Sequence, residues 1–170
     1  MIRIEPLSSA NFRPDALDRY QRRQEVRRVY RNINETYTLV DCPYTEDWDL
    51  PKRRAVAQAL ASDAMITWLA LREDEVVGFV SLVRAPNGPY MLLDLMHVSA
   101  CCRGQGVGRQ LFAVAREEAR RAGAQALYIS ACSSEETIAF YRAMGAEVTD
   151  HPIPDIAEAE PFDLQMVCPL

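Results

Sequence analysis

Val98-Ser99-Ala100-Cys101-Cys102-Arg103-Gly104-Gln105-Gly106-Val107-Gly108-Arg109 is the stretch on which the fold is decided. It joins a mostly apolar run, Tyr90 to Val98, to a segment continuing to about Ala122 in which Val107, Leu111, Val114, Ala115, Glu118 and Ala119 share one helical face. Strand, glycine-rich turn and helix in this order aim the N–H groups of a helix N-terminus at an anion. Glycine serves there because a side chain would block close approach and because positive φ costs it little. The helix dipole adds about 0.3–1 kcal/mol for an anionic guest, and a nucleotide pyrophosphate is the natural one. Two common phosphate loops are excluded by spacing. A GxGxxG fingerprint begun at Gly104 needs glycine where Arg109 stands, and a Walker loop fails at the same residue. The bland alternative is a tight turn with no guest.

Outward from the loop, the chain alternates strands and helices. Toward the N-terminus, Pro86-Asn87-Gly88-Pro89 breaks the chain before the Tyr90 strand. Thr67–Leu71 and Val76–Val83 read as strands joined by a charged turn, Glu73-Asp74-Glu75, and Pro51–Ala61 as a helix. Val26–Val40 suggests a hairpin about Asn32-Ile33-Asn34-Glu35, with a continued helix as the alternative. A helix start is expected over Pro14–Tyr20, and a strand over Ile2–Leu7. Toward the C-terminus, Gly123 stops the long helix and Ala126–Ala131 is a strand. Ser133 with Glu136 forms an expected capping box opening a helix that ends near Gly145, and Phe162–Val167 is the last strand.

Arg103-x-x-Gly106-x-Gly108 between an apolar strand and an amphipathic helix resembles the pyrophosphate loop of the GNAT superfamily of acyltransferases. Ala139-Phe140-Tyr141-Arg142-Ala143-Met144-Gly145-Ala146 is similar to that family's last helix end, with Ala146 where an aromatic is usual. The likeness is good from Thr67 to Val148 and loose elsewhere. It implies an α/β (α+β) fold: a mixed, mostly antiparallel sheet of about six to seven strands flanked by helices. In that fold the fourth and fifth strands, here Tyr90–Val98 and Ala126–Ala131, splay to admit the pantetheine arm of acetyl-CoA or another acyl-CoA.

The resemblance also implies roles. Met96, His97 and Val98 would line the arm, with the Val98 N–H polarising the thioester carbonyl. Arg103, Gly104, Gln105, Gly106, Val107, Gly108 and Arg109 would hold the pyrophosphate. Ser134 stands where the family often carries an asparagine that contacts the arm. Tyr141 would protonate the departing thiolate, its alternative being an ordinary core aromatic. Asp94, a charge inside an apolar strand, is costly unless paired or used, and is either the base or a satisfied structural carboxylate. His97 lies three residues from Asp94, so a regular strand turns the two to opposite faces, and a core or surface role suits His97 better. Cys132 as an acyl carrier lacks a neighbouring base in sequence.

The expected activity is acyl transfer from acyl-CoA to a primary amine by direct attack, the alternative being a non-catalytic acyl-CoA-binding domain of the same fold. No metal is called for. The chain of 170 residues is read as one domain, 1–170, of ordinary soluble composition. Five cysteines, two of them adjacent, suit neither a disulfide framework nor a zinc ribbon, and no apolar run is long enough for a signal peptide or membrane span. A reducing cytoplasm is the expected home. The net charge of −5 argues against nucleic acid. It hides six arginines against one acid from Arg19 to Arg31, read as a solvated face, and six acids with no Lys or Arg after Ala146. The acidic tail, Asp155, Glu158 and Glu160 included, points to a small cationic amine as acceptor rather than a protein. Tyr44 and Trp48 are read as core anchors before pocket walls. Assembly is left open to a homodimer.

Overall fold

The computed structural model describes residues 1–170. Strand β1 (Ile2–Pro6) is followed by a hairpin, β2 (Gln24–Ile33) and β3 (Thr36–Glu46), and by helix α1 (Leu50–Leu60). Next come β4 (Met65–Arg72), β5 (Glu75–Val83), β6 (Tyr90–Val98), helix α2 (Val107–Arg121), β7 (Ala126–Ala131) and helix α3 (Glu135–Ala143). A two-residue β8 (Glu147–Val148), helix α4 (Pro154–Ala159) and β9 (Leu164–Pro169) complete the chain. Seven strands form one sheet in the order β1-β4-β5-β6-β7-β9-β8, while β2 and β3 pair only with each other. Every ladder is antiparallel except β6 with β7. No helix is long and apolar enough to cross a membrane.

The apolar pattern explains the layers. In α2 the buried residues Val107, Leu111, Phe112, Ala115 and Ala119 repeat at three and four, so one stripe packs on the sheet. There it meets Val77, Val80, Leu93, Leu127 and Ile138 in the larger core. The opposite face carries Leu69, Leu71 and Phe79, covered by Leu17, Tyr20 and the α1 residues Val56, Ala57 and Leu60.

Two features of β6 differ from a regular strand and create the site. It pairs with β7 only from Tyr90 to Leu93, so Asp94 to Val98 have no β7 partner and the strands part. β6 and β7 are the fourth and fifth strands across the sheet, as expected. On the β5 side, Ser81 faces Leu95 while Leu82 faces Leu93, which leaves Asp94 as the extra residue of a bulge.

Three local expectations are corrected. Pro14–Tyr20 is a run of turns rather than a helix: Ala16, Asp18 and Tyr20 N–H groups donate three residues back, to Arg13, Asp15 and Leu17. Burial of Leu17 and Tyr20 fixes the chain there, and the Arg53 guanidinium takes the Asp18 carbonyl that a helix would need. The α3 cap is one residue later than the Ser133–Glu136 box, because Ser134 Oγ accepts from Thr137 N–H at 3.3 Å. Ser133 Oγ instead accepts from Arg31 at 2.8 Å. Between Glu147 and the last strand, β8 and α4 were not foreseen, and that strand runs to Pro169. The β2–β3 hairpin is present, turning at Asn34 and Glu35, both with positive φ, of 50° and 63°.

Candidate active site

The loop after β6 ends in unpaired donors. Gly104 and Gly106 have φ of 75° and 80°, conformations that other residues adopt only with strain. Gly106 is the N-cap of α2 and brings no side-chain partner. From Gly104 to Arg109 no backbone N–H donates a hydrogen bond within the protein; the first is Gln110, to Gly106 O at 3.2 Å. A Cβ at Gly108 would lie 3.2 Å from the Phe140 ring, which would have to give by a few tenths of an ångström. Orphan donors at a helix start normally find a cap, water or ligand, and here they front an open cavity of about 480 Å³.

The parted edge of β6 supplies further donors. Ser99 N–H donates to Val77 O at 2.8 Å, and antiparallel ladders alternate bonded with non-bonded pairs. Met96 opposite Val80, and Val98 opposite Gly78, are therefore non-bonded pairs whose N–H groups point away from β5 into the gap. Arg103 Nε donates to Val98 O at 3.0 Å and its Nη2 to Arg22 O at 3.0 Å, tying the loop to the start of β2.

Of the residues singled out from sequence, Met96, His97, Val98, Arg103, Gly104, Gly106, Val107, Gly108, Arg109 and Tyr141 line this cavity. Gln105 and Ser134 do not. Gln105 donates to Cys101 O at 3.2 Å. Ser134 is fully buried, with Oγ donating to Thr137 Oγ1 at 2.8 Å and accepting from Gln24 at 3.3 Å. Its hydroxyl is spent on the cap. Gln24, Glu25, Cys102, Glu136, Thr137 and Phe140 complete the wall and were missed. Phe140 and Glu136 sit one helical turn apart on α3, a spacing that could have flagged them.

A second cavity, of about 530 Å³, opens beside the first. Gln24, Met96, His97, Thr137 and Tyr141 line both, so Tyr141 stands at the junction. Its ring is buried against Phe112 and Phe140, and its hydroxyl makes no hydrogen bond within the protein. Burial pushes the phenol pKa up, so it stays protonated.

Asp94 and His97 both reach the second cavity. The opposite-face expectation fails because the bulge at Asp94 resets the alternation. Asp94 is exposed to the cavity and forms no side-chain hydrogen bond or ion pair, and partial desolvation by its apolar neighbours raises its pKa above the ordinary carboxylate value. His97 is fixed differently: Nδ1 is 2.8 Å from Tyr20 Oη, and the ring packs against Trp48 and Phe79. Burial first, then the charges of Arg22 and Arg103, push its pKa down to about 2. It is neutral at any working pH.

The far wall is acidic and aromatic. Glu160 and Asp163 line it, whereas Asp155 and Glu158 do not. Asp163 Oδ2 accepts from Ser130 at 2.9 Å, Ser130 Oγ accepts from Gln165 Nε2 at 2.9 Å, and Gln165 Oε1 accepts from Tyr128 Oη at 2.7 Å. Trp48 is a pocket wall, stacked with Tyr20 and Phe79 and carrying the Arg22 guanidinium 5.3 Å from its ring centre. Tyr44 is exposed rather than a core anchor. Cys132 lines this cavity without a histidine or carboxylate bonded to it. The arginine stretch is partly paired, Arg28 holding Glu135 bidentately at 2.6 and 2.9 Å. No three His, Cys, Asp or Glu side chains are grouped to hold a metal ion.

Comparison with known proteins bears on the fold. Among curated proteins, none matches the sequence. A structure of nourseothricin acetyltransferase is similar over 99% of this chain and 98% of its own, with 22% identity and a TM-score of 0.73. A Bacillus anthracis protein assigned as a streptothricin acetyltransferase, in complex with acetyl coenzyme A, covers 100% of this chain and 99% of its own at 16% identity and a TM-score of 0.75. A GNAT family acetyltransferase from Elizabethkingia anophelis with acetyl-CoA bound covers 99% and 98% at 17% identity and a TM-score of 0.61. At these identities the likeness shows the fold. The Acetyltransferase (GNAT) family model matches residues 33–146, well over half of the sequence, and the chain belongs to that family.

Proposed function

We propose that the protein transfers an acetyl or short acyl group from acyl-CoA to a primary amine of a small cationic acceptor. The observation that carries this reading is the meeting of two cavities at Tyr141: one fronted by unpaired loop amides, the other lined by Asp94, Glu160 and Asp163. The diphosphate takes the N–H groups from Gly104 to Arg109. An amide carbonyl of the pantetheine arm satisfies the free N–H group of Met96, and the thioester carbonyl that of Val98, which would otherwise stay unpaired in the gap.

The chemistry needs no covalent enzyme intermediate, since holding amine and thioester together supplies much of the rate. Asp94 takes the ammonium proton, directly or through water, and its raised pKa makes it the better base. The amine nitrogen then attacks the thioester carbon while the Val98 N–H supports the oxyanion. The C–S bond breaks, the thiolate takes the Tyr141 hydroxyl proton, and the remaining excess proton on the new amide nitrogen leaves, directly or through water, to restore the phenol. A non-catalytic coenzyme binder would have no use for an unbonded phenol at the junction. Calorimetry with acetyl-CoA, followed by a panel of mono- and diamines read by free-thiol release, tests the proposal. The expected result is coenzyme binding and thiol release with a cationic amine. Folded protein that binds no CoA species would overturn it.

A further inference from the structure

Two thiols that take no step in the proposed acyl transfer lie together at the root of the coenzyme loop. Cys101 and Cys102 occupy the 3₁₀ turn Ala100–Cys102, with their Sγ atoms 3.5 Å apart. Cys101 is exposed, whereas Cys102 is fully buried and lines the coenzyme cavity next to Arg103 and Gly104. Ser99 Oγ is 3.6 Å from Cys101 Sγ, and Arg72 Nη2 donates to the same sulfur at 3.7 Å. The Ser99 hydroxyl, then Cys102 and Arg72, hold the Cys101 thiol below its ordinary pKa. Burial pushes the Cys102 thiol up. An exposed thiol of lowered pKa beside a second thiol is the arrangement that oxidants select.

We propose that Cys101–Cys102 is an oxidation site at which hydrogen peroxide closes a vicinal disulfide and disables the adjoining coenzyme loop. The inference rests on reading that loop as the diphosphate cradle. Cys101 thiolate attacks one peroxide oxygen, the O–O bond breaks, and the departing hydroxide takes a proton to leave as water. The resulting sulfenic acid is attacked by Cys102 sulfur, whose proton leaves with the sulfenic hydroxyl as a second water. Both sulfurs are oxidised by one electron each, and one peroxide is reduced to two waters. A thiol reductant of the glutathione class reverses the step by exchange.

The geometry explains why closure reaches the coenzyme. Adjacent α-carbons are about 3.8 Å apart across a trans peptide, below the roughly 4.4–6.8 Å that disulfides usually span. The turn must therefore change shape for the sulfurs to bond. At present it is held by Cys102 N–H donating to Ser99 O at 2.9 Å and by Gln105 donating to Cys101 O at 3.2 Å. Arg103, the next residue, is tied to Val98 O and Arg22 O, so a shift at Cys102 passes directly into the amide cradle. Bound coenzyme, by reciprocity, disfavours the disulfide at equilibrium.

The test treats reduced protein with stoichiometric hydrogen peroxide, maps disulfides by peptide mass, and measures acetyl-CoA affinity by calorimetry before, after, and after re-reduction. The expected result is a Cys101–Cys102 bond with the loss of two hydrogen masses. Affinity should fall about tenfold or more and return with reductant. Cys101→Ser should bind acetyl-CoA like the parent and keep its affinity through peroxide. The proposal is overturned if no such bond forms, if the mapped disulfide leaves affinity unchanged, or if Cys101→Ser loses affinity equally. Failure of the reduced protein to bind acetyl-CoA would instead sink the proposed function, because the mapping step does not depend on coenzyme.

Discussion

At the residue scale, the site depends on three side chains whose environments set their protonation. Tyr141 is 7% exposed, unbonded at its hydroxyl and held protonated by burial. Tyr141→Phe keeps the ring packing and removes only the hydroxyl, so kcat should fall by about 10²–10⁴-fold while coenzyme affinity by calorimetry stays level. As the proposed base, Asp94 must be deprotonated to act. Its pKa is raised by partial desolvation, so the acid limb of kcat/KM should lie above the ordinary carboxylate range, with rate lost as pH falls through it. Asp94→Asn should lower kcat and remove that limb in a pH profile, leaving only the titration of the acceptor amine. His97, held neutral, should add no limb of its own across the working range.

At the element scale, the start of α2 carries two separable roles. Gly106 at φ 80° has open space around it, so a side chain there is penalised by backbone strain rather than by collision. Gly106→Val should cost about 1–2 kcal/mol of stability and also weaken acetyl-CoA binding by crowding the amides, whereas Tyr141→Phe should do neither. Leu111, one turn further, is fully buried against Gly78 and the sheet. Leu111→Ala should destabilise by about 2–5 kcal/mol through lost burial and a residual cavity, read in denaturant unfolding. Its coenzyme affinity under native conditions should change little.

At the scale of the whole molecule, the two cavities differ in their balance of charge. Arg103 and Arg109 match Glu25 and Glu136 in the first, whereas Asp94, Glu160 and Asp163 outnumber Arg22 in the second, the proposed acceptor side. Neutralising both, as Glu160→Gln with Asp163→Asn, should raise KM for a cationic amine several-fold and leave kcat and acetyl-CoA affinity alone. The difference from the parent should shrink at high ionic strength, as screened steering requires. Neutralising Asp155 and Glu158 should do less, since neither lines the cavity. Acetyl-CoA at about a hundredfold its Kd should stabilise the fold by about 2.7 kcal/mol, seen as a rise in Tm.

What the sequence determined by itself was local and periodic. The Tyr90–Val98 and Ala126–Ala131 strands, the α2 stripe and the glycines at 104, 106 and 108 follow from alternation, helical spacing and the demand for positive φ or close approach. Tertiary structure decided the rest, because it turns on what lies across the sheet. The single extra residue at Asp94 is visible only against the β5 register, yet it brings Asp94 and His97 to one cavity. Ser134 was legible as a hydroxyl near the arm, but Thr137 and Gln24 absorb it. Arg22, Trp48 and Asp163 come from three distant segments, and only packing makes them neighbours in one pocket. A one-dimensional pattern records which face a residue takes along its own element; the partners that set its pKa and exposure arrive from elsewhere in the chain.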